Sequence, residues 1–406
     1  MPPNCHRTPH LRRTAGALFV LLYLVTALPS LALARAPLPA ARAAKPEHQL
    51  YLPAISRPRP PLGMVIQPAE LAISKVQFDL HAEPGRSAVK SIFKRANEAL
   101  GAAPCAVAHY TTAAGYDCLN QSAENAYLLG IAYRMSGEPA YSEKGAAFIT
   151  VWLDTLASVD AGDDQAQLDW GRLVPALIWG ADLLTSAPGW GEAERARLIG
   201  WLKQHALGQA KAAAARANNW ADAGNLLWLS VAVYAGLPSE REAAVDSWKL
   251  KLDGVPQPGG GWRYGMLPEG SLEEENRRGA DGLGYNMQAL SMKTMFAEIM
   301  QRQGDSALYS YVTPRGVGLK NGWDFLAPRA MDAFAGRCTW PHTPNHCVKA
   351  ANRSGWELAY ARWRAPAYLP VVLEHRPYSW SNWADPGYST ALYGSLNLSL
   401  AAVPSL

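Results

Sequence analysis

The sequence NNWADAGNLLWLSVAVYAG, residues 218–236, carries the clearest structural signal in this chain of 406 residues. Residues 225–235 are apolar on nearly every side, and a helix of that kind is buried. Eleven residues are too few for a helix to cross a membrane. The next predicted helix, 239–252, carries six charged residues and should face solvent. Together the two segments predict a hairpin of one inner and one outer helix.

Helical patterns of these two kinds recur on both sides of this hairpin. They cover residues 87–100, 123–135, 141–156, 172–185, 192–207, 285–303, 307–311 and 316–326. We therefore expect a dominantly all-α fold, an (α/α) toroid built as an incomplete barrel of helical hairpins over residues 84–330. Residues 331–406 are expected to form an irregular C-terminal part. An α-solenoid would show a similar alternation, but no fixed repeat period is present.

The first 34 residues have the features of a secretory signal peptide. Two arginines precede the apolar run 15–33, and Ala32-Leu33-Ala34 supplies small residues for cleavage. A membrane anchor is the alternative, because the run approaches the length of a span. Pro29 and the small residues favour cleavage, so we expect a secreted or periplasmic protein without a stable membrane span. Residues 35–65, rich in proline and alanine, predict a linker, and residues 66–406 the toroid domain.

Charge and cysteine usage narrow the possible partners and cofactors. The formal charge is +4, and without the first 34 residues 35 basic side chains oppose 34 acidic ones, so no basic stripe suggests nucleic acid. Cys105 with Cys118 and Cys338 with Cys347 form two close pairs, which favours two local disulfides among three possible connectivities. Neither pair has the two-residue spacing of a zinc knuckle, and we expect no metal or other cofactor.

The side chains that could bind a substrate or transfer a proton lie at the start of the buried helix and in the segment that follows the hairpin. Asn218 and Asn219 precede it, and an asparagine there is a normal helix cap, although one asparagine would be sufficient. Glu275 and Arg278 are three residues apart, and Tyr285 follows seven residues later. A surface ion pair and a core tyrosine would explain this pattern without any catalysis. Three nearby glycines make one continuous helix from Arg278 to Tyr285 doubtful.

The block from Asn218 to residue 311 resembles the alginate lyase family of polysaccharide lyases. The shared pattern is an Asn-Asn pair opening an inner helix, then Glu-x-x-Arg, then a tyrosine seven residues past the arginine. The resemblance implies an (α/α) toroid that cleaves a uronic-acid polymer by β-elimination. It also implies that Asn219 and Arg278 neutralise the substrate carboxylate and that Tyr285 protonates the leaving oxygen.

One position departs from the family pattern. Well-known members place a histidine directly after the Asn pair, whereas this chain has Trp220, and an indole cannot accept a proton. Three alternatives follow: Tyr285 serves as both base and acid, another residue replaces the histidine, or the activity is lost. His109 is the candidate replacement. The expected substrate-binding residues are Asn218, Trp220, Glu275, His109, Trp262 and Tyr264.

Two other functions remain open from the sequence. A glycoside hydrolase on the same scaffold would need two carboxylates across the cleft. A non-catalytic polysaccharide-binding protein is favoured by the missing histidine. In each case the expected partner is an anionic polysaccharide, and the sequence does not predict the oligomeric state.

Overall fold

A computed structural model describes residues 62–342, 354–382 and 386–395, and the described residues are mainly helical. The predicted signal peptide and most of the predicted linker lie outside them. The described helices are α1 Pro68–Asp79, α2 Gly85–Leu100, α3 Thr112–Ser136, α4 Pro139–Thr155, α5 Asp164–Leu183, α6 Glu192–Trp201, α7 Leu207–Ala214, α8 Asn219–Ala235, α9 Pro238–Asp253, α10 Glu273–Asn276, α11 Gly282–Arg302, α12 Leu319–Phe334, α13 Gly355–Trp363, α14 Tyr368–His375 and α15 Ser389–Tyr393. Two short strands, β1 His109–Tyr110 and β2 Ser158–Val159, pair in parallel.

The helices form an inner and an outer layer. Helices α3, α5, α8, α11 and α13 pack one on the next as the inner layer. On the outside, α4 covers α3, α7 and α9 cover α8, and α12 covers α11. The C-terminal α15 packs on α13 and returns to α1 and α2. This arrangement confirms the predicted (α/α) toroid.

Burial separates the two layers as the sequence predicted. Thirteen of the seventeen residues of α8 are buried, whereas only four of the sixteen residues of α9 are. Since burial of apolar side chains is the main favourable contribution to folding, the inner helices hold the ring together. The outer helices contribute one apolar face each.

Several inner helices begin earlier than predicted. α3 starts at Thr112 because the Thr111 side chain accepts a hydrogen bond from the backbone N–H of Ala114. α5 starts at Asp164 because Asp163 caps it by accepting from the N–H of Ala166. The predicted starts, at 123 and 172, missed these caps because neither first turn contains large apolar residues at helical spacing.

The inner helices α3, α5, α8 and α11 begin at the same end of the ring. The Thr112 hydroxyl donates to Asp169 near the start of α5 at 2.7 Å, and Asn219 at the start of α8 bonds Gln288 near the start of α11. A Cβ added to Gly171 would lie 3.0 Å from Ala223, which places α5 and α8 in the same register. Polar residues from several inner helices are thereby collected at this end.

The described chain enters the core before the predicted domain boundary at 66. The backbone N–H groups of Leu62 and Met64 donate to Asp182 at 2.6 and 3.0 Å, and Met64 and Val65 are fully buried. Burial raises the pKa of the Asp182 carboxyl, although the bonds from these N–H groups lower it.

The first predicted disulfide is present. Cys105 is bonded to Cys118, with Cα atoms 5.3 Å apart, and this bond ties the chain before β1 to α3. Cys338 is also disulfide-bonded, but its predicted partner, Cys347, lies outside the described residues. In the part of the chain that the structure describes, no helix is both long and apolar enough to cross a membrane. The same residues contain no His, Cys, Asp or Glu cluster suited to a metal ion.

The crossing of α3 and α5 gives a test of the inner layer. A Cβ at Gly180 would lie 2.6 Å from the carbonyl carbon of Ala126, so the two backbones touch there. We expect Gly180→Ala to lower the free energy of unfolding by about 1–3 kcal/mol through overpacking. Gly208→Ala is the control, because nothing lies within 4 Å of its Cβ and alanine favours a helix by about 1 kcal/mol. Urea denaturation of both variants measures the difference, and equal stabilities would contradict the close crossing.

Candidate active site

The two asparagines before α8 have different roles. Asn218 is the helix cap, and its side-chain oxygen accepts from the N–H of Trp220 at 3.2 Å. Asn219 is only 1% exposed, and its backbone N–H donates to Glu275 Oε1 at 2.6 Å. The first asparagine thus needs no function beyond capping, whereas the second connects α8 to α10.

Arg278 contacts both of the other residues that the family resemblance implicates, Asn219 and Tyr285. Its Nη2 donates to Asn219 Oδ1 at 3.5 Å, and its guanidinium carbon lies 5.0 Å from the centre of the Tyr285 ring. The Arg278 side chain is 35% exposed and Tyr285 is half-buried, so both reach the surface of the ring. A 3₁₀ turn over Gly279–Asp281 separates Arg278 from α11, which carries Tyr285. The seven-residue spacing between Arg278 and Tyr285 is therefore not two turns of one helix.

Glu275 is buried beneath Arg278. Its Oε2 lies 3.7 Å from Arg278 Nε and has no hydrogen-bond partner among the described residues. Burial, reinforced by the negative charge of Asp222, raises the pKa of Glu275 to about 8, against smaller opposing effects of Arg278 and Asn219. The carboxyl is therefore largely protonated at neutral pH. A neutral carboxyl does not compensate the positive charge of Arg278, which stays available to a ligand.

A buried polar layer supports these residues from behind. Asn219 Nδ2 donates to Gln288 Oε1 at 3.4 Å, and one helical turn further on Lys293 pairs with Asp222 at 2.5 Å. Burial raises the pKa of Asp222, while Lys293 acts in the opposite direction. Sequence reasoning missed this pair. The available signal was an acid on the nearly all-apolar α8 and a lysine in the middle of the buried α11.

Asn286 holds the short helix that carries Glu275. Its Oδ1 accepts from the N–H of Leu272 at 2.7 Å, and its Nδ2 donates to Gly282 O and Asn276 Oδ1. This fully buried amide fixes α10 against the first turn of α11. Arg278, between those two elements, is positioned by the same contacts.

Trp220 occupies the position after the asparagine pair. It is half-buried, and the guanidinium of Arg216 lies 5.2 Å from the centre of its ring. Arg216 also pairs with Asp164 at the start of α5, at 2.7 Å. The indole is thereby held between α8 and α5 by a cation–π contact and offers no proton acceptor.

Three of the predicted substrate-binding residues make no contact with Asn219, Arg278 or Tyr285 among the described residues. His109 is exposed on β1, with Nδ1 2.9 Å from the hydroxyl of Ser158. The Trp262 ring lies 4.0 Å from the guanidinium of Arg315, although its carbonyl accepts from Arg277, next to Arg278. Tyr264 is almost buried under Lys251, as described below.

A second polar wall, unpredicted from the sequence, stands at the starting end of α3 and α5. Tyr116 accepts a hydrogen bond from Asn382 at 2.8 Å, and the guanidinium of Arg172 lies 5.8 Å from the centre of its ring. Trp380 donates through its indole N–H to Asn120 at 3.2 Å. The C-terminal segment therefore covers part of the end of the ring at which the asparagine pair lies.

Comparison with known proteins agrees with this geometry. The family model for alginate lyases matches residues 109–334, more than half of the chain. A crystal structure of an alginate lyase from Bacteroides ovatus superposes with a TM-score of 0.62 at 14% identity, covering 82% of this chain and 99% of that one. Alginate lyase A1-III from Sphingomonas species A1 gives 0.61 at 14% identity, covering 83% and 97%. A tyrosine-to-phenylalanine variant of A1-III complexed with a tetrasaccharide gives 0.63 at 13% identity, covering 84% and 97%.

No curated protein matches the chain significantly. At such low identity the solved structures establish the helical toroid fold alone. The family assignment rests on the match over residues 109–334, which includes Asn219, Arg278 and Tyr285. This chain belongs to the alginate lyase family.

Proposed function

We propose that this protein is an exported polysaccharide lyase that cleaves a uronic-acid-containing polymer, alginate-like, by β-elimination. The observation that carries the proposal is the convergence of Asn219, Arg278 and Tyr285, with Arg278 in contact with both of the others. Variants of A1-III with the same fold are complexed with a tetrasaccharide, which supports a polysaccharide as the substrate class.

Arg278 is the group proposed to bind the substrate carboxylate. The proton on C5 of a uronate is weakly acidic while the neighbouring carboxylate keeps its charge. A guanidinium facing that carboxylate stabilises the extra negative charge that develops when the proton leaves. Neutral Glu275 beneath Arg278 does not compete for this charge.

Tyr285 is proposed to move the proton, because Trp220 cannot. The phenolate oxygen takes the C5 proton, the C4–C5 double bond forms, and the bond from C4 to the leaving oxygen breaks. The resulting phenol then returns its proton to that oxygen, so the phenolate is regenerated. Atoms and charges balance without water, and the product carries an unsaturated uronate at its new non-reducing end.

Asn219 is proposed as a positioning residue in this scheme. Asn219 is only 1% exposed, and its side-chain amide forms hydrogen bonds with Arg278 and Gln288. Its backbone N–H also holds Glu275. Loss of the amide should therefore displace the guanidinium from the carboxylate-binding position.

Export is the other part of the proposal. The signal-like N-terminus supports it, with arginines before an apolar run and a small-residue cleavage site. The Cys105–Cys118 disulfide supports it independently, because such bonds persist in oxidising compartments.

Replacing Tyr285 by phenylalanine tests the chemistry. We expect Tyr285→Phe to lower turnover by roughly 10²- to 10⁴-fold, since the proton carrier is removed while the ring remains. The measurement is ultraviolet absorbance of the unsaturated product with alginate, glucuronan and glycosaminoglycans as substrates.

Tyr133→Phe is the matched control for this test. Tyr133 is a half-buried tyrosine near the opposite end of inner helix α3, and its replacement should leave turnover unchanged. Full activity in Tyr285→Phe would refute the proposed role. Products without the double bond would indicate a hydrolase, and polymer binding without any turnover in the wild type would indicate a binding protein.

Glu275 predicts how stability depends on pH. A carboxyl whose pKa rises from 4.5 to about 8 on folding binds more protons in the native state, so its contribution to stability is lost as pH rises through that window. We expect the free energy of unfolding to fall between about pH 5 and about pH 8, and Glu275→Gln to flatten this dependence. Urea denaturation across the window measures it.

The control is Glu273→Gln. The Glu273 side chain lies in the same short helix, is 24% exposed, and pairs with Arg277 at 2.7 Å. This variant should keep the wild-type slope. An unchanged slope in Glu275→Gln would show that the buried carboxyl is already ionised in the native protein.

A further inference from the structure

A cavity of about 780 Å³ lies on the outer side of the ring, between α7 and α9 and beneath the loop that carries Tyr264. Its lining does not include Asn219, Arg278 or Tyr285. We propose that this cavity is a second binding site, specific for a sugar acid, in which Lys251 receives the carboxylate. The proposal does not depend on lyase activity.

Lys251 is the feature that points to an anionic ligand. It lines the cavity, is only 8% exposed, and makes no ion pair with any described carboxylate. Its ammonium lies 4.4 Å from the centre of the Tyr264 ring, a contact that orients the cation without neutralising it. Burying an unpaired charge is costly, and a bound carboxylate would offset that cost.

The charges near Lys251 also favour an anionic ligand. Burial lowers the pKa of Lys251, and the positive charge of Lys293 lowers it further. The negative charges of Asp222 and Glu274 oppose this effect, but Asp222 is paired with Lys293 and neither acid forms an ion pair with Lys251. The cavity is therefore the open side from which a counter-charge can reach Lys251.

On the opposite wall of the cavity the charges of Lys211 and Glu240 neutralise each other, and Glu240 offers hydrogen-bond acceptors. Lys211 pairs with Glu240 at 2.7 Å and lies over the Trp228 ring at 5.3 Å. The Trp228 indole N–H also donates to Glu240, at 2.7 Å. The bond from Lys211 keeps the pKa of Glu240 below its usual value, so this carboxylate stays ionised and can accept from hydroxyl groups.

These groups together select the chemical class of the ligand. One unpaired cation can bind one carboxylate, whereas Glu240 and the rim residue Asp246 would repel a multiply charged anion such as phosphate. The same carboxylates, with Ser239 and Ser247, suit a ligand rich in hydroxyl groups. Exposed Leu250 provides an apolar surface for the C–H face of a sugar ring. A uronic acid carries all three features, and the volume lies in the usual range for small-molecule sites.

Calorimetric titration with glucuronate and with glucose tests the site. The titrations use the Arg278→Gln variant, so that binding at the candidate active site does not contribute. We expect glucuronate to bind and glucose not to bind. Lys251→Gln in this background should weaken glucuronate binding at least about tenfold, a loss of about 1.4 kcal/mol.

Lys249→Gln is the matched control, because it removes the same charge from the same helix outside the cavity lining. It should bind like the parent. Ser247→Phe is a second variant, which should block the cavity while leaving Lys251 in place, and it decides the matter if Lys251→Gln does not fold. Undiminished binding in either cavity variant, or equal binding of glucose, would overturn the proposal.

A glucuronate trisaccharide distinguishes free sugar acids from chain ends. Binding of both ligands with the same dependence on Lys251 would assign the cavity to a terminal uronate of a chain. Binding of the monosaccharide alone would restrict it to free sugar acids. Neither result depends on whether Tyr285 performs elimination, so failure of the proposed lyase function would leave this test intact.

Discussion

The hydrogen bond from the backbone N–H of Asn219 to Glu275 connects the helical ring to the candidate active site. At 2.6 Å and fully buried, it fixes the start of the central inner helix to the loop that carries Arg278. A helix start has free N–H groups that need acceptors, and here a distant side chain supplies one. The ring and the Glu-x-x-Arg segment are therefore positioned by each other, and Arg278 reaches both Asn219 and Tyr285 from that loop.

A buried pair of charged side chains lies in the inner layer behind the candidate active site. Asp222 and Lys293 are both nearly inaccessible and are paired with each other. Removing one partner of such a pair typically costs about 3–5 kcal/mol, whereas an apolar replacement of both can be neutral. The pair is thus weak evidence for stability by itself. Its position directly behind Asn219 and Glu275 links it to the electrostatics of the site, because the Asp222 charge contributes to the raised pKa of Glu275.

The sequence predicted the layers of the fold better than the extent of its elements. The contrast between α8 and α9 was sufficient for the toroid, because each helix shows its environment in its own composition. The starts of α3 and α5 were missed because polar caps have no hydrophobic period. Asn219, Arg278 and Tyr285 were found through family resemblance. Contacts such as Asn382 to Tyr116 join residues far apart in the chain, and no local pattern encodes them. Tyr264 was placed at the cleft but lines the outer cavity.

The tryptophan after the asparagine pair limits the geometry of the proposed elimination. An imidazole there could take the C5 proton from one face of the sugar while the tyrosine protonated the leaving oxygen from another. With Trp220 held against Arg216, both transfers fall to the single phenol of Tyr285. One oxygen can serve both atoms only if the C5 hydrogen and the C4 oxygen lie on the same face of the ring, within hydrogen-bond reach of it. The proposed mechanism is therefore a syn elimination, and it restricts the substrate to uronates with that relative configuration at C4 and C5.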